Sequence, residues 1–203
     1  LENHINSNEI NVLLVRSATT VRKDLIDACQ SLKIVGRGGV GMDNIDVDYA
    51  REKGLHVINT PAASSASVAE LVFAHLYGGV RYLFDANRQM PLEGDTKFKV
   101  LKKNYAAGSE LRGKTMGVIG FGRIGQETAK IALGIGMNVV AHDPFMDKAE
   151  VKVVLGNGAT IDVSIEMDRF ETVLKEADFI ILHVPAQDKP VIGQKEISMM
   201  KEG

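Results

Sequence analysis

A glycine-rich turn between two contrasting segments constrains the fold of this chain more than any other feature. Met116 to Ile119 is apolar and stops at the sequence Gly120-Phe121-Gly122-Arg123-Ile124-Gly125. Apolar residues then recur at helical spacing as far as Gly136, which favours a helix stop, and Asn138 to Ala141 is typical of a second strand. The pattern therefore predicts a strand, a glycine turn, a helix and a second strand, with Asp143 at the end of that strand.

Each glycine of this turn has a chemical reason to be there. Gly120 allows a tight turn, Gly122 lets the backbone approach a pyrophosphate, and Gly125 permits close packing of helix on strand. The free N–H groups at Arg123 and Ile124 would face the negative charge, which the helix dipole also favours. A purely structural glycine loop is the alternative, but the flanking strands and the helical period favour dinucleotide binding.

Asp143 predicts which dinucleotide binds. A carboxylate at the end of the second strand can accept hydrogen bonds from an adenosine ribose, and it would repel a 2′-phosphate. The predicted cofactor is therefore NAD rather than NADP.

Composition excludes several other classes of protein. The chain has 203 residues and a net charge of -2, so it lacks the basic excess expected of a partner for nucleic acid. No apolar run approaches the length of a membrane span, and the N-terminus has no signal pattern. The single cysteine, Cys29, provides neither a disulfide framework nor a metal cluster, and we expect it to be buried. We expect a cytoplasmic protein that binds a small molecule, without nucleic acid, membrane or metal.

The first third of the chain alternates strands and helices, which predicts a parallel sheet covered by helices. The predicted strands are Asn11–Val15, Lys33–Val35 and His56–Ile58. The first helix would be capped by Thr20 and carry Val21 on its apolar face, and a second would cover 47–53. The small-residue run 62–67 marks a boundary and hinge, which divides the chain into domains 1–66 and 67–203.

The sequence pattern of residues 67–203 predicts a doubly wound parallel sheet of the Rossmann type. A long helix starts near Val68 and should kink at Gly78-Gly79, and residues 89–112 are expected to be irregular surface chain. Two strands, 151–155 and 159–167, should form a hairpin around Gly156-Asn157-Gly158. The last expected elements are a helix around 170–174, a strand at 179–182 and a helix at 192–200.

Ligands of open parallel sheets bind beyond the carboxyl ends of the strands. Arg16 and Arg37 each follow a strand, and a guanidinium can hold a carboxylate or phosphate through paired hydrogen bonds. Arg37 lies in Gly36 to Gly41, four glycines in six residues, for which a simple tight loop is the alternative. For either arginine alone, a solvated charge or a structural ion pair is the alternative. None of the five histidines predicts a catalytic acid, and His183 is more typical of a cofactor wall.

Six segments in order resemble the D-isomer-specific 2-hydroxyacid dehydrogenases. They are LLVRSATTV, IVGRGGVGMDNID, NTPAASSASVAELV, ELRGKTMGVIGFGRIGQETAK, AHDP and ADFIILHVP. The first two look most like the D-3-phosphoglycerate dehydrogenase group. The resemblance implies an α/β fold with a Rossmann-type cofactor domain and a flavodoxin-like α/β substrate domain, which would be incomplete here at both chain ends. It also implies a homodimer formed through the cofactor domain.

The resemblance further implies roles for individual residues. Asp143 would bind the adenosine ribose, backbone N–H groups of the loop at 39–41 would meet the substrate carboxylate, and Val40 would also lie near the nicotinamide. The implied cofactor set is Val40, Gly120, Gly122, Arg123, Ile124, Gly125, Asp143, Val184 and Pro185. The implied substrate set, in which the arginines hold phosphate or carboxylate, is Arg16, Ser17, Arg37, Gly39, Val40 and Gly41.

By the same resemblance, the catalytic arginine, glutamate and histidine would follow Gly203, so no catalytic residue is assigned within this chain. The expected reaction of the parent protein is NAD-dependent oxidation of D-3-phosphoglycerate to 3-phosphohydroxypyruvate, in serine biosynthesis. A reductase for glyoxylate, hydroxypyruvate or another 2-keto acid is an alternative. A non-catalytic, corepressor-like NAD(H)-binding module is an alternative of another class. The hairpin at 151–167 has no assigned role.

Overall fold

The structure is a computed structural model that describes residues 1–202. The chain divides into two compact units, Leu1–Ser65 and Ala66–Gly203. None of the helices in residues 1–202 is both long enough and apolar enough to cross a bilayer.

The first unit is a three-stranded parallel sheet with helices packed on one face. The strands add in chain order, β1-β2-β3, with Val15 opposite Arg37 and Arg37 opposite Asn59. All three strands therefore end at the same edge of the sheet. The elements are α1 (Glu2–Ser7), β1 (Val12–Val15), α2 (Lys23–Ala28), β2 (Ile34–Arg37), α3 (Val47–Glu52) and β3 (His56–Asn59).

The two faces of this sheet differ in burial. Val15 and Val35 point into the core, which also contains Cys29, and Cys29 is fully buried as expected. On the opposite face, Leu14 is 74% exposed and Ile58 is 55% exposed. Among the described residues, helices thus cover one face of this sheet. The sequence pattern predicts that helices cover the sheet, without distinguishing its two faces.

The predicted cap of the first helix is wrong. Helix α2 begins at Lys23, and Val21 lies ahead of it in a parallel bridge with Ile45. The carboxylate of Asp46 accepts a hydrogen bond from the Lys23 N–H at 3.1 Å, so a distant acidic residue caps this helix instead of Thr20.

The second unit contains a parallel sheet in the order β5-β4-β8. Strand β4 has β5 on one side and β8 on the other, so the order of the strands reverses at β4. Ligands of doubly wound sheets bind at such a point. The elements are α4 (Ser65–Val80), α5 (Leu83–Tyr105), β4 (Thr115–Ile119), α6 (Arg123–Gly134), β5 (Asn138–His142), β6 (Lys148–Val154), β7 (Thr160–Glu166), α7 (Phe170–Glu176), β8 (Phe179–Leu182) and α8 (Gln194–Ile197).

Helices cover both faces of β4, as the doubly wound prediction requires. A side chain at Gly117 would lie 2.7 Å from the Cβ of Ala177 and 2.9 Å from Val173, so α7 packs directly on the backbone there. The next residue, Val118, points the other way and contacts the start of α6 near Gly125. The core of this unit therefore has two layers.

The predicted hairpin is confirmed and packs beside β5. Strands β6 and β7 pair antiparallel, and the Asn157 carboxamide oxygen accepts a hydrogen bond from the Ala159 N–H in the turn. Val151 and Ile165 are buried in the core, and a parallel bridge joins Met167 to Ala141. The hairpin therefore extends the edge of the sheet and covers part of the core.

Two predictions for the middle of the chain are wrong. Helix α4 runs through Gly78 and Gly79 to Val80, and the break falls at Tyr82, which has a left-handed φ of 53°. Residues 83–105 are helical despite Pro91, because most residues of this segment are strong helix formers. The helix has a kink at Lys97, where the backbone angles are not helical. The predicted helix at 192–200 is also shorter, since α8 covers only Gln194–Ile197.

Candidate functional site

The three glycines at the end of β4 differ in what surrounds them. Gly120 has a left-handed φ of 89°, and a Cβ there would lie 2.6 Å from the carbonyl oxygen of His183. A Cβ on Gly125 would overlap the carbonyl oxygen of Gly120, so this glycine lets α6 pack against the turn. A Cβ on Gly122 would meet no atom within 4 Å, so the backbone is open to a ligand there.

Helix α6 presents free amides to that open space. Gly122 is its N-cap and has no side chain to bind them, and the first intrahelical bond runs from the Gln126 N–H to the Gly122 carbonyl at 3.0 Å. No described residue accepts a hydrogen bond from the Arg123 or Ile124 N–H. Together with the helix dipole, these amides could bind an anionic group such as a pyrophosphate.

Asp143 is more closely tied to the glycine turn than the sequence predicts. One carboxylate oxygen accepts a hydrogen bond from the Phe121 N–H at 2.8 Å, and the other accepts one from the Phe145 N–H at 3.0 Å. The carboxylate is thereby fixed beside the turn, and its remaining lone pairs can accept hydrogen bonds from ribose hydroxyls.

A cleft of about 330 Å³ lies beside Asp143, between the ends of β4, β5 and β8. His142 and Phe170 form one wall, with their rings in an edge-to-face arrangement and their centroids 5.5 Å apart. Val184 lies close to Gly120 on the other side, whereas Pro185 is exposed and does not line the cleft. The lining residues are Ile119, Gly120, His142, Pro144, Phe170, Val184, Gln187, Lys189, Pro190 and Val191.

His183 connects β8 to α6. Its Nε2 lies 2.9 Å from the hydroxyl of Thr128, which is fully buried. Burial lowers the pKa of His183 below its ordinary value, so the neutral imidazole is favoured in the folded chain. The contact ties the end of β8 to α6, and the prediction that His183 is not a catalytic acid stays a prediction.

In the first unit, Arg16 follows β1 and is exposed. No described acidic residue forms an ion pair with it, so its guanidinium is free to bind an anion. Its backbone is held by Asn44, whose amide donates to the carbonyls of Arg16 and Thr19 at 2.9 and 2.6 Å. Arg16 borders a hollow of about 510 Å³ at the carboxyl ends of the strands, lined by Leu14, Val15, Arg16, Thr19, Gly36, Arg37, Gly38, Ile58, Asn59 and Thr60.

Arg37 follows β2 and is engaged in a different way. Its Nη1 donates to the Gly41 carbonyl and, at 2.7 Å, to the carboxylate of Asp43, and its side chain is only 11% exposed. Arg37 lowers the pKa of Asp43 chiefly through this hydrogen bond. The contact to the Ser17 hydroxyl is long, at 3.5 Å. The structural ion pair that the sequence left open as an alternative is therefore present at Arg37.

The loop at 39–41 divides into bonded and free amides. The Gly39 N–H already donates to the Arg37 carbonyl at 3.0 Å, so the implied contact of this amide with a substrate is not available in this conformation. The Val40 and Gly41 N–H groups have no acceptor among the described residues, and both residues are exposed. The role that the resemblance implies for these two amides stays a prediction.

Two asparagines of this edge have contacts that the sequence did not predict. Asn44 holds the loop after β1, and Asn59 donates to the Val40 carbonyl at 2.7 Å. The sequence singles out Asn59, with Thr60 and Pro61, as polar chain at a strand end without giving it a role, and it offers no signal for Asn44 beyond the motif MDNID.

Comparison with known proteins agrees with this geometry. The sequence model described as "D-isomer specific 2-hydroxyacid dehydrogenase, NAD binding domain" matches residues 73–203. Hydroxypyruvate reductase of Thermotoga maritima is 44% identical over 197 residues, covering 96% of this chain and 58% of that protein. D-3-phosphoglycerate dehydrogenase of Methanocaldococcus jannaschii is 42% identical over 196 residues, covering 96% of this chain and 35% of that protein.

A solved structure extends the likeness to the fold. The D-lactate dehydrogenase of Aquifex aeolicus, complexed with NAD and lactic acid, matches with a TM-score of 0.71 at 29% identity, covering 100% of this chain and 56% of that one. The chain spans between 35% and 58% of the length of the two sequence relatives. By the family match and the glycine turn at the end of β4, the chain belongs to the D-isomer-specific 2-hydroxyacid dehydrogenases and carries their NAD-binding domain.

Proposed function

We propose that the complete protein is an NAD-dependent dehydrogenase that interconverts D-3-phosphoglycerate and 3-phosphohydroxypyruvate, in serine biosynthesis. The observation that carries this proposal is the free guanidinium of Arg16 at the same sheet edge as two unbonded amides, those of Val40 and Gly41. A substrate with a carboxylate at one end and a phosphate at the other matches that pair of anion sites.

The chain's own residues have separate tasks in this proposal. The Val40 and Gly41 amides bind the carboxylate, and Arg16 binds the phosphate. In the second unit, the start of α6 binds the pyrophosphate and Asp143 binds the ribose. NAD supplies the hydride acceptor when it is bound, and proton transfer at the substrate hydroxyl needs a general acid and base near neutral pH. Contact of Val40 with the nicotinamide stays a prediction.

A second candidate is a reductase for an unphosphorylated 2-keto acid such as hydroxypyruvate or glyoxylate. The 44% identity to a hydroxypyruvate reductase favours it, because that relative is both more similar and more fully covered than the phosphoglycerate dehydrogenase. In this case Arg16 would have no phosphate to bind.

Replacement of Arg16 in the complete protein distinguishes the two candidates. Arg16→Ala should lower kcat/KM for phosphohydroxypyruvate by about 10- to 100-fold, since a hydrogen bond to a charged group contributes about 1.5–3 kcal/mol. Hydroxypyruvate should be affected less than about threefold. Arg51→Ala is the matched control, because Arg51 is an exposed arginine on α3 of the same unit.

Equal losses for the two substrates would favour the hydroxypyruvate reductase. A complete protein that binds NADH and yet reduces neither substrate would favour the non-catalytic binding module.

We also propose that the protein forms a homodimer through its cofactor-binding unit. Helix α5 supports this, because Phe84 is 67% exposed and several other large apolar side chains share its exposure. Exposed apolar side chains gathered on one helix favour a protein–protein interface there. The exposed apolar residues of α5 are Leu83, Phe84, Leu92, Phe98 and Val100. A cytoplasmic location stays a prediction.

A further inference from the structure

The loop after β2 has three consecutive carbonyl groups that are each held by a partner. The Gly39 carbonyl accepts a hydrogen bond from the Thr60 N–H at 3.1 Å, and the Val40 carbonyl accepts one from the Asn59 side-chain amide at 2.7 Å. The Gly41 carbonyl accepts one from Nη1 of Arg37. These partners lie on the end of β2 and the end of β3, so the sheet itself holds the carbonyls.

Holding a carbonyl also fixes the amide that follows it. The peptide unit is planar, and in the trans form its C=O and N–H bonds point in opposite directions. A carbonyl of Val40 that is bound to Asn59 therefore directs the Gly41 N–H away from Asn59. The Gly39 carbonyl directs the Val40 N–H in the same manner. The two amides that lack acceptors are the two whose peptide units are fixed by neighbours on β3.

Arg37 holds the other end of the loop. Its guanidinium lies under the glycines, since a Cβ on Gly41 would be 3.4 Å from Nη1 and a Cβ on Gly39 would be 3.7 Å from Nε. The same Nη1 also contacts Asp43, so the charge of Arg37 is balanced within the loop.

We propose that Asn59 and Arg37 are positioning residues of the carboxylate site. Asn59 orients the Gly41 amide toward the anion, and Arg37 anchors the loop and balances Asp43, without either residue binding the substrate itself. This inference rests on the proposed function, because it assumes that the Val40 and Gly41 amides bind a carboxylate. It replaces the direct substrate contact that the sequence resemblance implies for Arg37.

The two residues differ in how cleanly they can be tested. Loss of Arg37 would leave the carboxylate of Asp43, which is 83% exposed, unbalanced beside the loop, and this charge would itself repel an anion. Asn59 is neutral, so its replacement changes the orientation of the loop and leaves the charge unchanged. Asn59→Ala is therefore the primary variant.

The experiment measures binding of two simple anions to the complete protein with NADH bound. Oxalate carries a carboxylate beside a second oxygen-bearing carbon and probes the loop, and inorganic phosphate probes Arg16. Asn59→Ala should weaken oxalate binding by about tenfold, measured by calorimetric titration, and leave the affinities for phosphate and NADH within about twofold. Asn11→Ala is the matched control, because its amide also donates to backbone carbonyls, those of Glu9 and Ser31, but at the opposite end of β1.

Three outcomes would overturn the inference. They are oxalate affinity of Asn59→Ala within twofold of Asn11→Ala, equal losses for oxalate, phosphate and NADH, and no oxalate binding by the parent protein. If Asn59→Ala does not fold, Arg37→Gln with Asp43→Asn decides by the same criteria, because the pair removes the guanidinium and leaves the net charge of the loop unchanged. Failure of the Arg16 experiment concerns the phosphate only and leaves this test unaffected.

Discussion

Gly120, Gly122 and Gly125 are not interchangeable, because a side chain would meet different atoms at each position. At Gly120 and Gly125 the obstacle is backbone: the carbonyl of His183 for the first and the carbonyl of Gly120 for the second. At Gly122 there is open space, and its backbone angles, φ -68° and ψ -159°, suit any residue. The first two glycines are therefore needed for folding, and the third is needed for the ligand.

This division predicts opposite results for two alanine variants. Gly125→Ala should destabilise the fold by about 1–3 kcal/mol, the usual cost of overpacking. Gly122→Ala should change the free energy of unfolding by less than about 1 kcal/mol and weaken NADH binding by at least about tenfold, because its methyl group occupies the space the pyrophosphate would take. Urea unfolding followed by circular dichroism and an NADH fluorescence titration measure the two effects. Normal NADH affinity in Gly122→Ala would contradict the proposed position of the pyrophosphate.

Local sequence patterns predict the place of some of these residues in the site, but they do not predict the contacts of others. The glycine turn and Asp143 lie in one continuous stretch, so their spacing carries the signal. Arg37 contacts Gly41 and Asp43 only because the loop folds back on it, and Asn59 meets Val40 from another strand. The number of residues between two positions does not report such contacts, so the partners of Arg37 and the contact of Asn59 with Val40 could not be predicted.

At the scale of elements, one contact joins α6 to β8 across the end of β4. His183 and Thr128 form it, and the same stretch of β8 lies against Gly120. The helix that presents amides to the pyrophosphate is thereby tied to the strand that borders the adjacent cleft. This link is made by an imidazole whose pKa is lowered by burial.

The lowered pKa predicts how stability depends on pH. When the folded pKa lies below the unfolded value, the unfolded chain binds more protons between the two values, so stability falls as pH drops from about 6.5 through the folded pKa. His183→Asn should flatten the pH dependence of the free energy of unfolding over this range. His56→Asn, which removes an exposed imidazole on β3, is the control. An unchanged pH dependence in His183→Asn would contradict the assignment.

The hydrogen bond itself has a separate signature. Thr128→Val keeps the shape of the buried side chain and removes the hydroxyl, so it should cost about 1 kcal/mol of stability at pH 8, where the charge of the imidazole no longer matters. The same urea unfolding measures it. A neutral effect would indicate that water replaces the hydroxyl as the partner of His183.

Helix α5 shows why some elements were mispredicted. Pro91 and Gly94 are strong local signals for a break, and they led to the prediction of irregular chain. In the structure residues 83–105 are helical on both sides of a kink at Lys97, and four lysines and three leucines, which are strong helix formers, offset the cost of one proline. Helix propensities summed along the whole segment would have predicted a helix, whereas Pro91 and Gly94 taken singly predicted a break.

At the scale of the whole molecule, the two units are built on the same plan, with parallel strands that present their carboxyl ends to ligands. They differ in cover: the sheet of the second unit has helices on both faces, and the described residues cover one face of the first. Exposed apolar residues include Leu14 and Ile58 on that open face and Phe84 and Leu92 on α5. At both places, large apolar side chains are exposed to solvent.

The proposed homodimer depends on α5, which gives a direct test. Phe84→Glu places a charge among the exposed apolar residues of α5 and should convert the complete protein to a monomer, because burying an unpaired carboxylate costs several kcal/mol. Sedimentation equilibrium measures the mass. Val154→Glu is the control, since Val154 is an equally exposed apolar residue at the tip of the β6–β7 hairpin. A Phe84→Glu variant that remains dimeric would exclude this face as the interface.

The close packing of α7 on β4 has a consequence for how the sequence can vary. The volume at this point is shared by Gly117, Val173 and Ala177, and a single methyl group added at 117 would enter the space of both partners. A lineage can enlarge position 117 only after its neighbours on the helix have become smaller. Substitutions at the three positions are therefore expected to be correlated among relatives, although none of these residues lines the cleft beside Asp143.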